Sequence, residues 1–490
     1  MRLLIDADLL ADLEPDERPD RQFAKLEHIC ARNGVDLYLH PISQPSATAA
    51  SAKNTLATLP GSHAPSKADI EQHFGPCSTD EGLNDATLLD AVRTKIADYV
   101  VSNDAALHAL AASTELDALV FTVDDALAWA LRSYELEDVP LPTVSEVAAG
   151  ELEFTDPIFD ELREDYAPDF DKWTRKISDD ERKCWIVRVD GQLAALVIRK
   201  DETHAEAKTK HPGPDILKIS TFKVAEAFRG RKLGEQLVKQ ILWFAQKNDY
   251  DLVYLTAYPK QKSLRLLLEA YGFVVAETRT NGEMVLEKAM VRGPVSPRQG
   301  ENALAASCRS YPNFVCGAGV SKYVIPIRPA YHAMLFPEFG SAVADPAVEI
   351  LGKPANTIEK VYLCHSPTKT MNPGDVILFY LSKQAGTHGS QSLTTVGVVK
   401  SVRWSNDIDE VRRWTAKRSV YPDSELIEMA SRTTPLLIID FLLVGHLTEV
   451  VPISALTARG ILSSFPQSIV RIEDDAFDAL KRSIDLGFEF

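Results

Sequence analysis

Near the middle of the chain an extended run passes into an amphipathic helix through a basic, glycine-containing turn, and that passage restricts the folds open to this sequence. Ile216 to Val224 alternates apolar and polar residues as a half-buried strand does. Leu233, Leu237, Ile241 and Leu242 with Phe244 then recur at helical spacing, so the turn between sits at a helix N-terminus. The unpaired N–H groups of a first helical turn point out of the helix with the positive end of its dipole behind them. Gly230 and Gly234 let the backbone approach a bound group closely, and Arg229, Arg231 and Lys232 add three positive charges. A diphosphate fits such a turn.

Downstream, Leu252 to Tyr258 reads as the following strand, and Ser263 to Tyr271 as a helix closing on Gly272-Phe273. The order of strand, basic turn, helix, strand, helix and Gly-Phe resembles the GNAT acetyltransferases. Their motif A, Arg/Gln-x-x-Gly-x-Gly/Ala, is matched by Arg229 at its first place and Gly234 at its last, while Lys232 stands where the middle glycine belongs. The resemblance implies that acetyl-CoA lies with its pyrophosphate on Arg229, Gly230, Arg231, Lys232, Leu233 and Gly234.

Acyl transfer needs a neutral amine, a thioester carbonyl polarised by a backbone N–H, and a proton for the departing thiolate. In the family the N–H comes from the strand before the turn, which implies Phe222 to Val224 here. The family's proton donor is often a tyrosine four residues before the Gly-Phe glycine, a place held by Leu268. Tyr271 and Tyr258 lie close in sequence and are open to two readings, as substitutes for that donor or as packing aromatics. Lys218, Thr221 and His204 are candidate bases in name only.

At 490 residues the chain has room for about three domains. Its net charge of −17 is unevenly placed: residues 1–150 hold 25 acidic against 10 basic residues, which is −15 of the total. A face that negative repels bare phosphate backbone unless a divalent metal intervenes, which argues against a simple basic-patch account of this part. The six cysteines are dispersed without a Cys-x-x-Cys pair; Cys308 and Cys316 read as thiols or as metal ligands. Charged residues interrupt the N-terminal apolar stretch and no run of 18 apolar residues occurs, so a reduced, cytoplasmic location without a membrane anchor is expected.

Arg2 to Leu10 reads as a buried strand ending in acids, followed by a helix carrying Phe23, Leu26 and Ile29 and a strand from Val35 to Leu39. This is an α/β pattern with a parallel sheet, in which carboxylates at the strand ends collect in one crevice. Leu-Ile-Asp-x-Asp, Asn-Asp-x-x-Leu-Leu and Asp-Tyr-Val-Val-Ser-Asn-Asp together resemble the PIN-domain nucleases. The resemblance implies Mg²⁺ or Mn²⁺ on Asp6, Asp85 and Asp104, activating water against RNA. A fourth family acid has no clear counterpart near Pro41 to Thr48, and Asp6 and Asp104 are equally open to a reading as helix caps.

Acidic residues 151–171, broken by Pro157 and Pro168, mark a junction, and Asp190-Gly191 joins two strands as a hairpin. Val291 to Lys322 reads as a linker. After it come successive strands with a turn at Asn372-Pro373-Gly374-Asp375, which indicates a small β-barrel with peripheral helices. Ile327-Arg328-Pro329-x-Tyr331-His332, Pro373 to Phe379 and Gly397-Val398-Val399 resemble the PUA-like superfamily, particularly its ASCH and EVE members, which implies RNA or modified bases as ligands. Arg328, Tyr331, His332, Lys353, Arg403 and Trp404 offer charge and stacking planes for RNA, or complete the core.

The expected architecture is therefore multidomain, α/β plus α+β: a PIN-like parallel α/β sheet at 1–150, a GNAT mixed sheet at 151–290, a linker at 291–322 and a PUA-like barrel at 323–490. Such a protein would move an acetyl group from acetyl-CoA to an amine on RNA or an RNA-associated molecule. Two other classes stay open: a toxin-like metal-dependent ribonuclease with a regulatory GNAT part and an antitoxin-like partner, and a non-enzymatic RNA-binding scaffold.

Overall fold

The computed structural model describes residues 1–11, 21–32, 35–42, 56–59, 63–134, 144–165, 168–189, 191–207, 209–229, 232–339, 357–384, 389–415, 418–421 and 423–490. They form two compact units: residues 1–137, 226–231 and 407–417 make the first, and 138–225, 232–406 and 418–490 the second.

In the first unit, β1 (Arg2–Ile5), β2 (Asp36–Leu39), β3 (Ala57–Thr58), β4 (Tyr99–Val101) and β5 (Val120–Phe121) pair in parallel in the order β3-β2-β1-β4-β5. Alternate residues of β1 serve opposite faces. Leu3 and Ile5 pack with Phe23, Leu26, Ile29 and Trp129, whereas Leu4 packs with Leu88, Leu89 and Val92 on the other side. A strand apolar on both faces belongs at the centre of a helix-covered parallel sheet. Asp6 and Asp104 follow β1 and β4 where the strand order reverses, the place at which such sheets gather functional groups. The unit also holds the turn Glu226–Phe228, whose Glu226 carbonyl accepts from Gln22 Nε2, and the helix Ile408–Thr415, whose Glu410 meets Lys95 at 3.3 Å.

The second unit contains two sheets. The first runs β11-β12-β10-β9-β8-β7-β6, comprising β6 (Val144–Ala148), β7 (Lys183–Val189), β8 (Gln192–Glu202), β9 (Ile216–Val224), β10 (Leu252–Ala257), β11 (Val274–Thr278) and β12 (Met284–Ala289). All its pairs are antiparallel except β9 with β10. The hairpin β7–β8 falls as the sequence suggests; Gly191 takes φ +79°, and Asp190 lies outside the described residues.

The second sheet runs β14-β17-β16-β15-β13-β18, with β13 (Lys322–Ile327), β14 (Glu359–Cys364), β15 (Val376–Leu381), β16 (Ser392–Ser405), β17 (Leu436–Pro452) and β18 (Val470–Ile472). The expected barrel is corrected here. β14 pairs only with β17 and β18 only with β13, so among the described residues no ladder closes the sheet. Register shifts interrupt the pairing of the two long strands β16 and β17.

Residues 291–322, linker-like in composition, are packed into this unit. The helix Ala303–Ser310 is capped by Asn302, and Tyr311, Asn313 and Phe314 are buried. Asn313 Nδ2 donates to the carbonyls of Val291, Gly293 and Glu489, which satisfies a buried amide in a segment lacking long-range periodicity.

Candidate active site

In the second unit β9 and β10 pair only from Leu252 with Ile216 to Leu255 with Ile219, although β9 continues to Val224. Beyond Ile219 the strand keeps its partner β8 on one edge and parts from β10 on the other. Ala225 N–H donates to Ala194 O at 2.8 Å, on the β8 side. Strand alternation then turns the N–H groups of Lys223 to β8 and those of Phe222 and Val224 to the open edge. The side chains of Phe222 and Val224 are half-buried.

The helix Leu233–Lys247 follows. Gln236 N–H closes the first bond, on Lys232 O at 3.1 Å, so the N–H groups of Leu233, Gly234 and Glu235 are those of an open helix end. Lys232, at the place of the motif's middle glycine, has φ +58° and ψ +19°, a left-handed conformation that glycine adopts without strain. Gly234 lies where an added Cβ would reach Leu267 Cδ2 at 3.4 Å, ordinary contact with the helix Lys262–Ala270. Arg229, in the first unit, is half-buried with its N–H on Glu226 O, and Gly230 and Arg231 lie outside the described residues.

The two tyrosines part company. Tyr258 follows β10 and is 42% exposed, its N–H on Gln261 Oε1. Tyr271 is 3% exposed, packs its ring 5.3 Å from Tyr311, and has its phenol pushed well above the ordinary range by burial and then by the Glu235 and Glu359 carboxylates. A phenol so placed holds its proton tightly, which suits packing better than delivery to a thiolate. Gly272 has φ +85°, and a Cβ there would collide with the backbone carbonyl of Arg309. That carbonyl accepts from the buried Lys288 Nζ at 2.7 Å, and burial lowers the Lys288 ammonium to about 7.

Sequence reading missed a charge cluster beneath the helix start. Glu235 is buried, its Oε1 accepting from the N–H groups of Ile358 and Glu359 at 3.0 and 2.9 Å and its Oε2 from Arg418 Nη1 at 2.5 Å. Arg418 Nη2 meets Glu359 Oε2 at 3.2 Å and Lys400 Nζ meets Glu359 Oε1 at 3.0 Å. Burial raises the Glu359 carboxyl, but Lys400 and Arg418 outweigh it and hold the group at about 2. Further along the helix, Lys239 Nζ meets Glu338 Oε1 at 2.9 Å, and His446 Nε2 lies 3.5 Å from the same oxygen. These partners lie about a hundred residues or more from the helix, so no local pattern reveals them.

In the first unit Asp6, Asp85 and Asp104 stand close enough to repel. Asp6 accepts from Ser102 Oγ at 2.6 Å and from Asp8 N–H at 3.2 Å, and burial raises its carboxyl. Asp104 caps the helix Ala105–Ser113 through Ala106 N–H. Burial, then Asp104 and Asp6, push the Asp85 carboxyl up to about 7. Among the described residues no group of three or more His, Cys, Asp or Glu is arranged to hold a metal, so the expected Mg²⁺ or Mn²⁺ is not supported. The physical reason is that two of the three carboxylates are committed to local donors.

The proposed RNA contacts also divide. Arg328 is exposed, Tyr331 is half-buried with its ring 5.3 Å from Tyr421, and Trp404 is 36% exposed. Arg403 is paired with Asp440 at 3.5 Å. His332 is buried on Thr394 Oγ1 at 2.9 Å and cannot meet a surface ligand; burial lowers it to about 3. Lys353 lies outside the described residues.

The model of the acetyltransferase (GNAT) family matches residues 148–273, which run from the last residue of β6 to the Gly272-Phe273 turn. No curated protein matches the sequence significantly. Among solved structures, ASCH from Zymomonas mobilis is 12% identical, covering 34% of this chain and 96% of its own, with a TM-score of 0.24. A GNAT family acetyltransferase from Elizabethkingia anophelis with acetyl-CoA bound is 14% identical over 30% of this chain and 98% of its own, TM-score 0.21. The IAA acetyltransferase from Bacillus cereus ATCC 14579 is 10% identical over 31% and 100%, TM-score 0.24. The likeness to the acetyltransferase (GNAT) family rests on the family model over residues 148–273. Among the described residues no helix is long and apolar enough to cross a membrane.

Proposed function

We propose that the protein is an acyltransferase that takes an acetyl group from acetyl-CoA to an amine. The observation that carries this reading is the parting of β9 from β10 beyond Ile219, which leaves the N–H groups of Phe222 and Val224 on an open edge in the same unit as the helix N-terminus at Lys232–Gly234. The residues fit the ligand: helix-end amides with Lys232 suit a diphosphate, and a free strand edge suits an amide-bearing pantetheine arm. Bound acetyl-CoA would supply the activated acetyl group. Val224 and Phe222 would polarise its carbonyl, and solvent-facing Tyr258 is better placed than Tyr271 to exchange a proton.

The acceptor we propose is an amine on RNA or an RNA-associated molecule, recognised through Arg328, Tyr331 and Trp404 on the C-terminal part of the chain. Labelled acetyl-CoA incubated with the protein and total RNA, or with protein extract, tests both points. Transfer is expected with wild type and not with Gly234→Asp. Equal labelling by the two would reject the cradle, and label confined to protein would reject an RNA acceptor.

A further inference from the structure

The N-terminus of the helix Leu233–Lys247 carries a carboxylate in its first turn, Glu235, which is the wrong sign for an anion site. A first-turn acid stabilises its own helix but competes with any diphosphate placed on the same dipole. The structure deals with this by binding Glu235 to the N–H groups of Ile358 and Glu359 and to Arg418, whose side chain is 15% exposed. Glu359 is held in turn by Arg418 and Lys400, and it also feels the positive charge of Lys232. Lys232, Lys400 and Arg418 thus act on the carboxylates Glu235 and Glu359, with Lys360 also acting on Glu235 and Asp440 on Glu359. Without Arg418 the cluster loses one positive charge and Glu235 loses the guanidinium bonded to its Oε2, although Lys360 still acts on Glu235 through space.

We infer that Arg418 is a positioning residue for acetyl-CoA: it neutralises Glu235, keeps that carboxylate on the amides of Ile358 and Glu359, and so leaves the helix end free to hold a diphosphate. The inference rests on the acetyl-CoA reading above. It assigns a role in ligand binding to a residue 183 positions from Glu235, outside the segment matched by the family model.

Acetyl-CoA is titrated calorimetrically into the full chain as wild type, Arg418→Met, Arg418→Lys and Arg418→Met/Glu235→Gln, at low and at raised salt. Arg418→Met is expected to weaken binding roughly tenfold at low salt, with the loss shrinking as salt screens it. Arg418→Lys should bind within a few-fold of wild type, and Glu235→Gln should restore most of what Arg418→Met loses, because it removes the negative charge that Arg418 had matched. A merely structural Arg418 would give a salt-independent loss that Glu235→Gln does not repair, and that result overturns the inference. So does Arg418→Met binding as tightly as wild type, which leaves the acetyl-CoA reading standing. Wild type failing to bind acetyl-CoA would bring down that reading and the inference with it.

Discussion

Replacing Asp85 by Asn should stabilise the first unit, and by an amount that grows with pH. Asp85 is 7% exposed at the crowded ends of β1 and β4, and burial followed by Asp104 and Asp6 raises its carboxyl from 3.8 to about 7. Because the folded pKa lies above the unfolded one, folding favours the protonated acid. Full stability is present below the unfolded value and is lost as pH rises through the folded value. The cost of keeping Asp85 amounts to ~2 kcal/mol at pH 5 and ~4 kcal/mol at pH 8, as ceilings. Asn cannot ionise and escapes the cost. Amide exchange of the helix Asp80–Arg93, compared between variant and wild type at each pH, reads this directly. Slower exchange in the variant, with the larger gain at pH 8, is expected. An equal gain at both pH values, or none, would refute the claim that mutual repulsion and burial govern this acid. A large loss at neutral pH would mean instead that its charge is needed.

Gly272→Ala should cost more than ~3 kcal/mol in thermal or denaturant unfolding, since φ +85° and the Arg309 carbonyl both exclude a Cβ. Lys232→Gly should raise stability by up to ~1 kcal/mol in the same unfolding assay by removing a left-handed lysine. Glu338→Gln, which leaves Lys239 buried without its carboxylate, should lose ~3 kcal/mol, with Glu338→Leu/Lys239→Met recovering much of it in the same unfolding assay.

The alternation of Ile216 to Val224, the spacing of Leu233, Leu237 and Ile241 and the Gly272-Phe273 stop were legible because each is a local pattern that backbone geometry reads directly. The parallel sheet of the first unit was legible for the same reason, as β1 is apolar on both faces. Where the chain folds back on itself, local pattern ran out. Nothing near Tyr271 in sequence announces Tyr311, and nothing near Glu235 announces Arg418. Residues 291–322 read as a linker because their order comes from long-range partners of Asn313 and Tyr311 rather than from any period. The barrel was misjudged because strand count and turns are visible in sequence while shear and closure are not.

The helix Ala303–Ser310 has a practical consequence. Its Arg309 carbonyl covers Gly272 and accepts a hydrogen bond from Lys288 Nζ, so a fragment trimmed at residue 290 to isolate the region that the family model matches would strip the lid from the turn at Gly272. An ammonium in the interior would then have lost its acceptor. Such a truncation should come out of cells aggregated or should bind acetyl-CoA poorly, for reasons unrelated to the residues proposed to hold the ligand.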